Sequence, residues 1–110
     1  MAAATSVPQR RGAPRVDVAL PLTLARAQRH GKPVSARTID LSVGGARVAA
    51  DRPLHVDEVL HFDLHCRSGA HVCGECRVLR EHVGRTYAVR FERLDGDDAA
   101  AELRRVAAAG

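Results

Sequence analysis

The chain has 110 residues, 45% of them hydrophobic, with two Phe, one Tyr and no Trp, which allows one domain with a small, mostly aliphatic core. That size leaves little room for a large catalytic cleft and its supporting shell. The net charge of +4 is unevenly spread, because residues 1–37 carry seven Arg or Lys against Asp17 alone, while residues 38–110 carry ten against twelve acids. A basic N-terminal third on a near-neutral body suggests an anionic partner near that end, whether nucleic acid, a membrane surface or a phosphorylated small molecule.

Residues 1–9 read as a flexible tail. Their opening apolar run is too short for a signal peptide and has no positive region before it, and no stretch approaches the roughly 18 apolar residues of a membrane span. A cytoplasmic location follows as the expectation, and with it reduced cysteines; the odd count of Cys66, Cys73 and Cys76 agrees. The segment Arg10-Arg11-Gly12-Ala13-Pro14-Arg15 is basic and turn-prone. From Val16 the pattern changes: Val16, Val18, Leu20, Leu22 and Leu24 alternate with Asp17, Ala19, Pro21 and Thr23, the period of a half-buried strand. Pro21 lacks an N–H, which places it on an edge or at a bulge.

Arg29-His30-Gly31-Lys32 reads as a hairpin turn, followed by a second strand from about Val34 to Leu41 that Gly44-Gly45 breaks. Ala46–Ala49 is a short third strand, and Leu60, Phe62 and Leu64 mark a fourth. After the turn at Arg67-Ser68-Gly69, Val72, Gly74, Cys76 and Val78 share one face of a fifth strand; beyond Val83-Gly84, Tyr87, Val89 and Phe91 share a face of a sixth. Strands at this spacing with short turns argue for an antiparallel barrel or sandwich. The end differs, because Asp95-Gly96-Asp97-Asp98 leads into Ala-rich sequence and then Arg104-Arg105, a charge order that suits a capped helix over about 97–109 packed through Leu103 and Val106. No linker separates a second domain.

Two segments carry candidate chemistry. Arg11 and Arg15, preceded by Arg10, stand before a strand on a non-helical segment and can converge on one anion. Guanidinium groups donate in a planar fork that matches phosphate oxygens, and they stack on aromatic bases. In Asp40-Leu41-Ser42-Val43-Gly44-Gly45, Asp40 and Ser42 are two apart, so strand alternation points them the same way and puts Ile39, Leu41 and Val43 on the buried face. A carboxylate accepts from the adjacent N1–H and N2–H₂ of guanine, and a serine hydroxyl donates to phosphate or ribose oxygens. Gly44 and Gly45 let the backbone turn and a ligand approach closely, although a serine-capped turn alone would also use these residues.

Taken together, Arg-x-x-x-Arg followed by Asp-x-Ser-x-x-Gly closely resembles the PilZ domain signature, matched at Arg10, Arg11, Arg15, Asp40, Ser42 and Gly45. The strand around Tyr87-Ala88-Val89-Arg90-Phe91 and the trailing helix look like that family too, so the resemblance covers roughly residues 9–106. It implies an all-β fold with a C-terminal helix, a six-stranded antiparallel barrel over residues 10–110, that binds the bacterial second messenger cyclic di-GMP. Arg11 and Arg15 would grip phosphate and stack on guanine, Asp40 and Ser42 would read guanine and the adjoining backbone, and Gly45 would permit the tight turn, with Arg10 and Gly44 also among the ligand-binding residues. The arginine segment would order over the ligand and present a surface to a protein of motility, polysaccharide or adhesion machinery. The alternative within the same resemblance is a protein–protein interaction module that acts without nucleotide.

Other readings are weaker. Cys73-Gly74-Glu75-Cys76 is a C-x-x-C near His65, Cys66 and His71, but on a strand positions three apart face opposite sides, so no metal or redox site is expected there. The histidines form no triad with Ser42 and no nucleophile elbow is present, so no enzyme activity is expected. The shortage of aromatics speaks against a stacking platform for single-stranded nucleic acid.

Overall fold

The computed structural model describes residues 4–5, 15–26 and 32–108. Along them run β1 (Ala4–Thr5), β2 (Val16–Asp17), β3 (Pro21–Arg26), β4 (Val34–Leu41), β5 (Gly45–Ala50), β6 (Val59–His65), β7 (His71–His82), β8 (Thr86–Asp95) and α1 (Asp97–Ala108). Six strands close a barrel in the order β8, β5, β4, β3, β6, β7 and back to β8, every neighbour antiparallel. Among the described residues closure leaves no long unpaired edge, and the two short strands β1 and β2 add to β8 and β4.

Period-2 alternation fills the barrel. Leu60, Phe62 and Leu64 of β6, Val72, Cys76 and Val78 of β7, and Tyr87, Val89 and Phe91 of β8 all point inward and are buried. The rings of Phe62 and Phe91 stack with centroids 4.8 Å apart, which is most of the aromatic content of the core. The Tyr87 hydroxyl, fully enclosed, accepts from the Leu54 backbone N–H at 3.0 Å and ties down the loop between β5 and β6. The same loop is held by the ion pair of Arg26 with Glu58. Helix α1 packs Ala99 and Leu103 onto the barrel with Val106 half-buried beside them; Asp97 and Asp98 occupy its first turn and Arg105 its last, as the macrodipole favours.

Four expectations change. The continuous strand read over Val16–Leu24 is split at Val18–Leu20, because Thr38 of β4 takes over the backbone pairing there. Its hydroxyl accepts from the Leu20 N–H at 2.8 Å and donates to the Val18 carbonyl, while the Thr38 N–H donates to the Leu20 carbonyl at 3.0 Å. Pro21 opens β3, which is paired on both sides, so it is on no edge strand; it is paired with Arg37 of β4, and the β6 ladder starts only at Leu22, where no proline blocks it. Ile39 is 37% exposed rather than buried, because the β4–β5 register shifts between Thr38 and Asp40. Within the expected tail, Ala4 and Thr5 pair with Asp95 and Leu94 at the end of β8, whose backbone groups there accept a partner. Residues 29–31 of the expected turn lie outside the described residues.

Thr38→Val keeps shape and β-branching but leaves the Leu20 N–H and Val18 carbonyl without partners in the barrel wall. A loss of about 1–3 kcal/mol is expected, read as a lower denaturant midpoint at unchanged slope. A variant as stable as the parent would show that these bonds do not stitch β2 to β3.

Candidate ligand-binding site

Two β-bulges build one patch of the outer wall. In β4, Thr38 pairs with Val48 of β5 and Asp40 with Arg47, so Ile39 is the extra residue and both Ile39 and Asp40 lie on the outer side. In β7, Val78 pairs with Val89 and Arg80 with Ala88, so Leu79 is extra and is 39% exposed. The registers then line up one row across four strands: Asp40 opposite Arg47, Arg47 opposite Ala88, Ala88 opposite Arg80. Two strand spacings put the backbones of Arg47 and Arg80 about 10 Å apart, with only the methyl group of Ala88 between them. A depression of about 400 Å³ results, lined by Arg15, Asp40, Arg47, Leu79, Arg80 and His82 among others.

Arg15 reaches this patch from the β2 side. Val16 pairs with Leu41 and Asp17 with Asp40, which brings the residue before Val16 beside the end of β4. The Arg15 guanidinium donates to Asp40 Oδ1 at 2.6 Å, and Arg47 donates through Nε to Oδ2 at 3.1 Å. Each carboxylate oxygen thus has its own arginine, and Asp40 is only 6% exposed although it faces outward. The arginines are much more open, with side chains 58% and 47% accessible for Arg15 and Arg47.

The remaining sequence-derived residues divide. Ser42 follows the last residue of β4 and works inside the turn, where its hydroxyl accepts from the Gly44 N–H at 3.2 Å and donates to the Gly45 carbonyl at 3.3 Å. The Ser42 N–H also donates to the Gly45 carbonyl at 2.8 Å, and the Gly44 carbonyl accepts from Phe91 of β8 at 2.9 Å. Gly45 needs no left-handed dihedral; a Cβ there would run into the Val89 carbonyl oxygen of β8, so close strand packing is what demands glycine. Arg10 and Arg11 lie outside the described residues. Sequence reasoning missed Arg47, Arg80 and His82. The first was accessible, because Arg47 alternates with Ala46 and Val48 beyond a two-strand turn and so faces Asp40 across it; the other two depend on the second bulge.

The cysteines fall as strand alternation requires. Cys76 is enclosed, and burial first, then the carboxylates of Glu92, Glu58 and Glu75, push its thiol up to about 12, so it is inert at neutral pH. Cys73 is on the outer face, and the two cannot share one ion.

A double-mutant cycle on Arg15→Ala and Asp40→Ala is expected to give a coupling of about 0.5–1 kcal/mol at low salt, shrinking as salt is added, since one partner is open to solvent. Additive effects would show that the pair does not hold β2 against β4.

The sequence matches the family described as PilZ domain over residues 9–109. A comparison with curated protein sequences returns no match. Among solved structures, the chain is similar to the Bacillus subtilis inhibitor of motility MotI/DgrA, with a TM-score of 0.72 at 15% identity over 93% of this chain. It spans 51% of that protein, about half its length. It is also similar to the PilZ domain of CeSA from a cellulose-synthesizing bacterium, with a TM-score of 0.64 at 21% identity, covering 86% of this chain and 95% of that one. The PilZ domain of YcgR from Escherichia coli, solved with c-di-GMP, gives a TM-score of 0.62 at 13% identity over 92% of this chain and 91% of that one. With a closed six-stranded barrel, a helix after the last strand and a family match over nearly the whole sequence, the chain belongs to the PilZ domain family.

Proposed function

We propose that this PilZ domain is a receptor for cyclic di-GMP and that it signals through a protein partner rather than through catalysis. The observation that carries the reading is the meeting of Arg15 with Asp40, 25 positions apart in sequence, on an outer wall that also carries Arg47 and Arg80. Phosphates of a cyclic dinucleotide take the forked donors of Arg15 and, from the preceding segment, Arg10 and Arg11, which also offer flat faces to the purines. The Asp40 carboxylate takes the N1–H and N2–H₂ edge of a guanine. Ser42, Gly44 and Gly45 act one step back, by fixing the turn that presents Asp40.

Binding is then an exchange. Asp40 already has two arginine partners, so guanine enters by replacing Arg15, whose guanidinium moves to a phosphate while Arg47 keeps the second carboxylate oxygen. Charge is conserved locally through the exchange, which limits the desolvation cost of opening a nearly covered carboxylate. The Gly12- and Pro14-containing arginine segment folds over the ligand in this reading, and the newly ordered surface is what a motility, polysaccharide or adhesion protein recognises. The free thiols Cys66, Cys73 and Cys76 suit the reducing cytoplasm.

Calorimetry with cyclic di-GMP on the parent, Arg15→Ala and Asp40→Ala tests this. Each substitution removes one or two charge-assisted hydrogen bonds and is expected to weaken binding by roughly 10- to 100-fold. Tight binding that survives both changes would overturn the assignment of the site. A melting temperature that does not rise with added nucleotide would instead favour an interaction module that acts without it.

A further inference from the structure

The β6–β7 hairpin carries a second set of chemically capable residues at the opposite end of β7 from Arg80. Its register pairs Asp63 with Cys73 and His65 with His71. Leu64 and Val72 point into the barrel, so all four of these side chains stand on the outer face, two rungs of one ladder. Residues directly opposite on antiparallel strands have Cβ atoms about 4.5–5.5 Å apart, a span that a first-row metal ion bridges with bonds of about 2.0–2.3 Å.

The side chains already converge. Ligand atoms of Asp63, His65 and His71 lie within 4.8 Å of one another. His71 Nδ1 is 2.9 Å from Asp63 Oδ1, His65 Nε2 is 3.9 Å from Asp63 Oδ2, and the two imidazole rings have centroids 4.3 Å apart. Donors around a tetrahedral zinc ion are separated by roughly 3.3–3.8 Å, inside the range these distances cover. Cys73 stands directly opposite Asp63 in the ladder and adds a thiol on the same face.

We propose that Asp63, His65, His71 and Cys73 form a site for a divalent transition metal of the zinc class. Imidazole and thiolate donors with one carboxylate select zinc, cobalt or nickel over calcium and magnesium, which require oxygen ligands. The site owes nothing to the C-x-x-C spacing, since Cys76 is sealed in the core; cross-strand pairing creates it. On loading, the Cys73 thiol loses its proton and becomes the fourth donor. The role is structural. The ion clamps β6 to β7 just before the tip of the hairpin, where Ser68 donates to Glu102 of α1 at 3.1 Å, and so stiffens the seat of the helix. The nucleotide site is not involved, because the seven residues from Cys73 to Arg80 span about 23 Å of strand.

The test is cobalt(II) and zinc(II) titration of the untagged full chain under reducing conditions, with the nucleotide absent. One equivalent of cobalt is expected to bind with a thiolate-to-metal charge-transfer band, and zinc is expected to displace it and raise the melting temperature. His65→Ala and His71→Ala should each lose roughly 100-fold or more in zinc affinity, since even an indirect partner of a metal ligand is worth about 10–100-fold. Cys73→Ser should abolish the charge-transfer band, and His82→Ala should change neither stoichiometry nor affinity. All four positions are on the outer face, and the far-ultraviolet circular dichroism of each apo variant confirms that the barrel is intact. Absence of saturable binding, or affinity unchanged in the His65→Ala/His71→Ala double variant, would overturn the site. Saturable binding without a charge-transfer band would overturn Cys73 as a ligand.

Discussion

Between Thr38 and Asp40, β4 holds one residue more than β5 pairs with, and the direction of the Asp40 carboxylate depends on that surplus. Thr38 faces inward, so strict alternation would send Asp40 inward too, into a core of Leu, Val and Phe where an ionised carboxylate without partners is very costly. The bulge instead turns Asp40 outward, to meet Arg15, just before β2, and Arg47 of β5. Ile39 accepts solvent exposure as the consequence. A second bulge at Leu79 turns Arg80 onto the same wall. Both irregularities sit where the barrel presents charge, in keeping with bulges as devices that re-aim side chains.

Thr38 shows how closely the wall and the site are joined. The same inward residue that precedes the bulge binds the backbone of Val18 and Leu20, and this fixes how β2 departs from β3. The position of β2 in turn decides where Arg15 emerges. Backbone pairing of β2 with β4 brings Arg15 beside Asp40, and the ion pair adds to that pairing. Such an arrangement holds charge in place on the outer wall at little cost, because each carboxylate oxygen is satisfied while the arginines stay largely hydrated.

The barrel was legible in the sequence where inside and outside alternate cleanly. Val34–Leu41 and the buried sets Leu60/Phe62/Leu64 and Tyr87/Val89/Phe91 follow directly from period-2 patterning, and the helix follows from its charge order. Ile39 escaped because a bulge leaves no mark in hydrophobicity: one residue is added and the pattern resumes in the opposite phase. Val16–Leu24 read as one strand because its apolar spacing continues through the break at Val18–Leu20, which only a polar residue on another strand produces. For the candidate site, Arg15 and Asp40 were readable from their residue types and spacing. The turn-bound hydroxyl of Ser42 needed the geometry of the turn itself, and the contribution of Arg80 needed the register across β5, β8 and β7.

β7 links two distinct chemistries, an arginine-rich wall at its end and a histidine–cysteine ladder at its start, with only the barrel between them. A structure of the chain with cyclic di-GMP bound tests the first of these most directly. The expected result is a guanine edge on Asp40, with the Arg15 guanidinium moved from that carboxylate to a phosphate and Arg47 still in place. A ligand seated elsewhere on the barrel, with the Arg15–Asp40 ion pair intact, would contradict it.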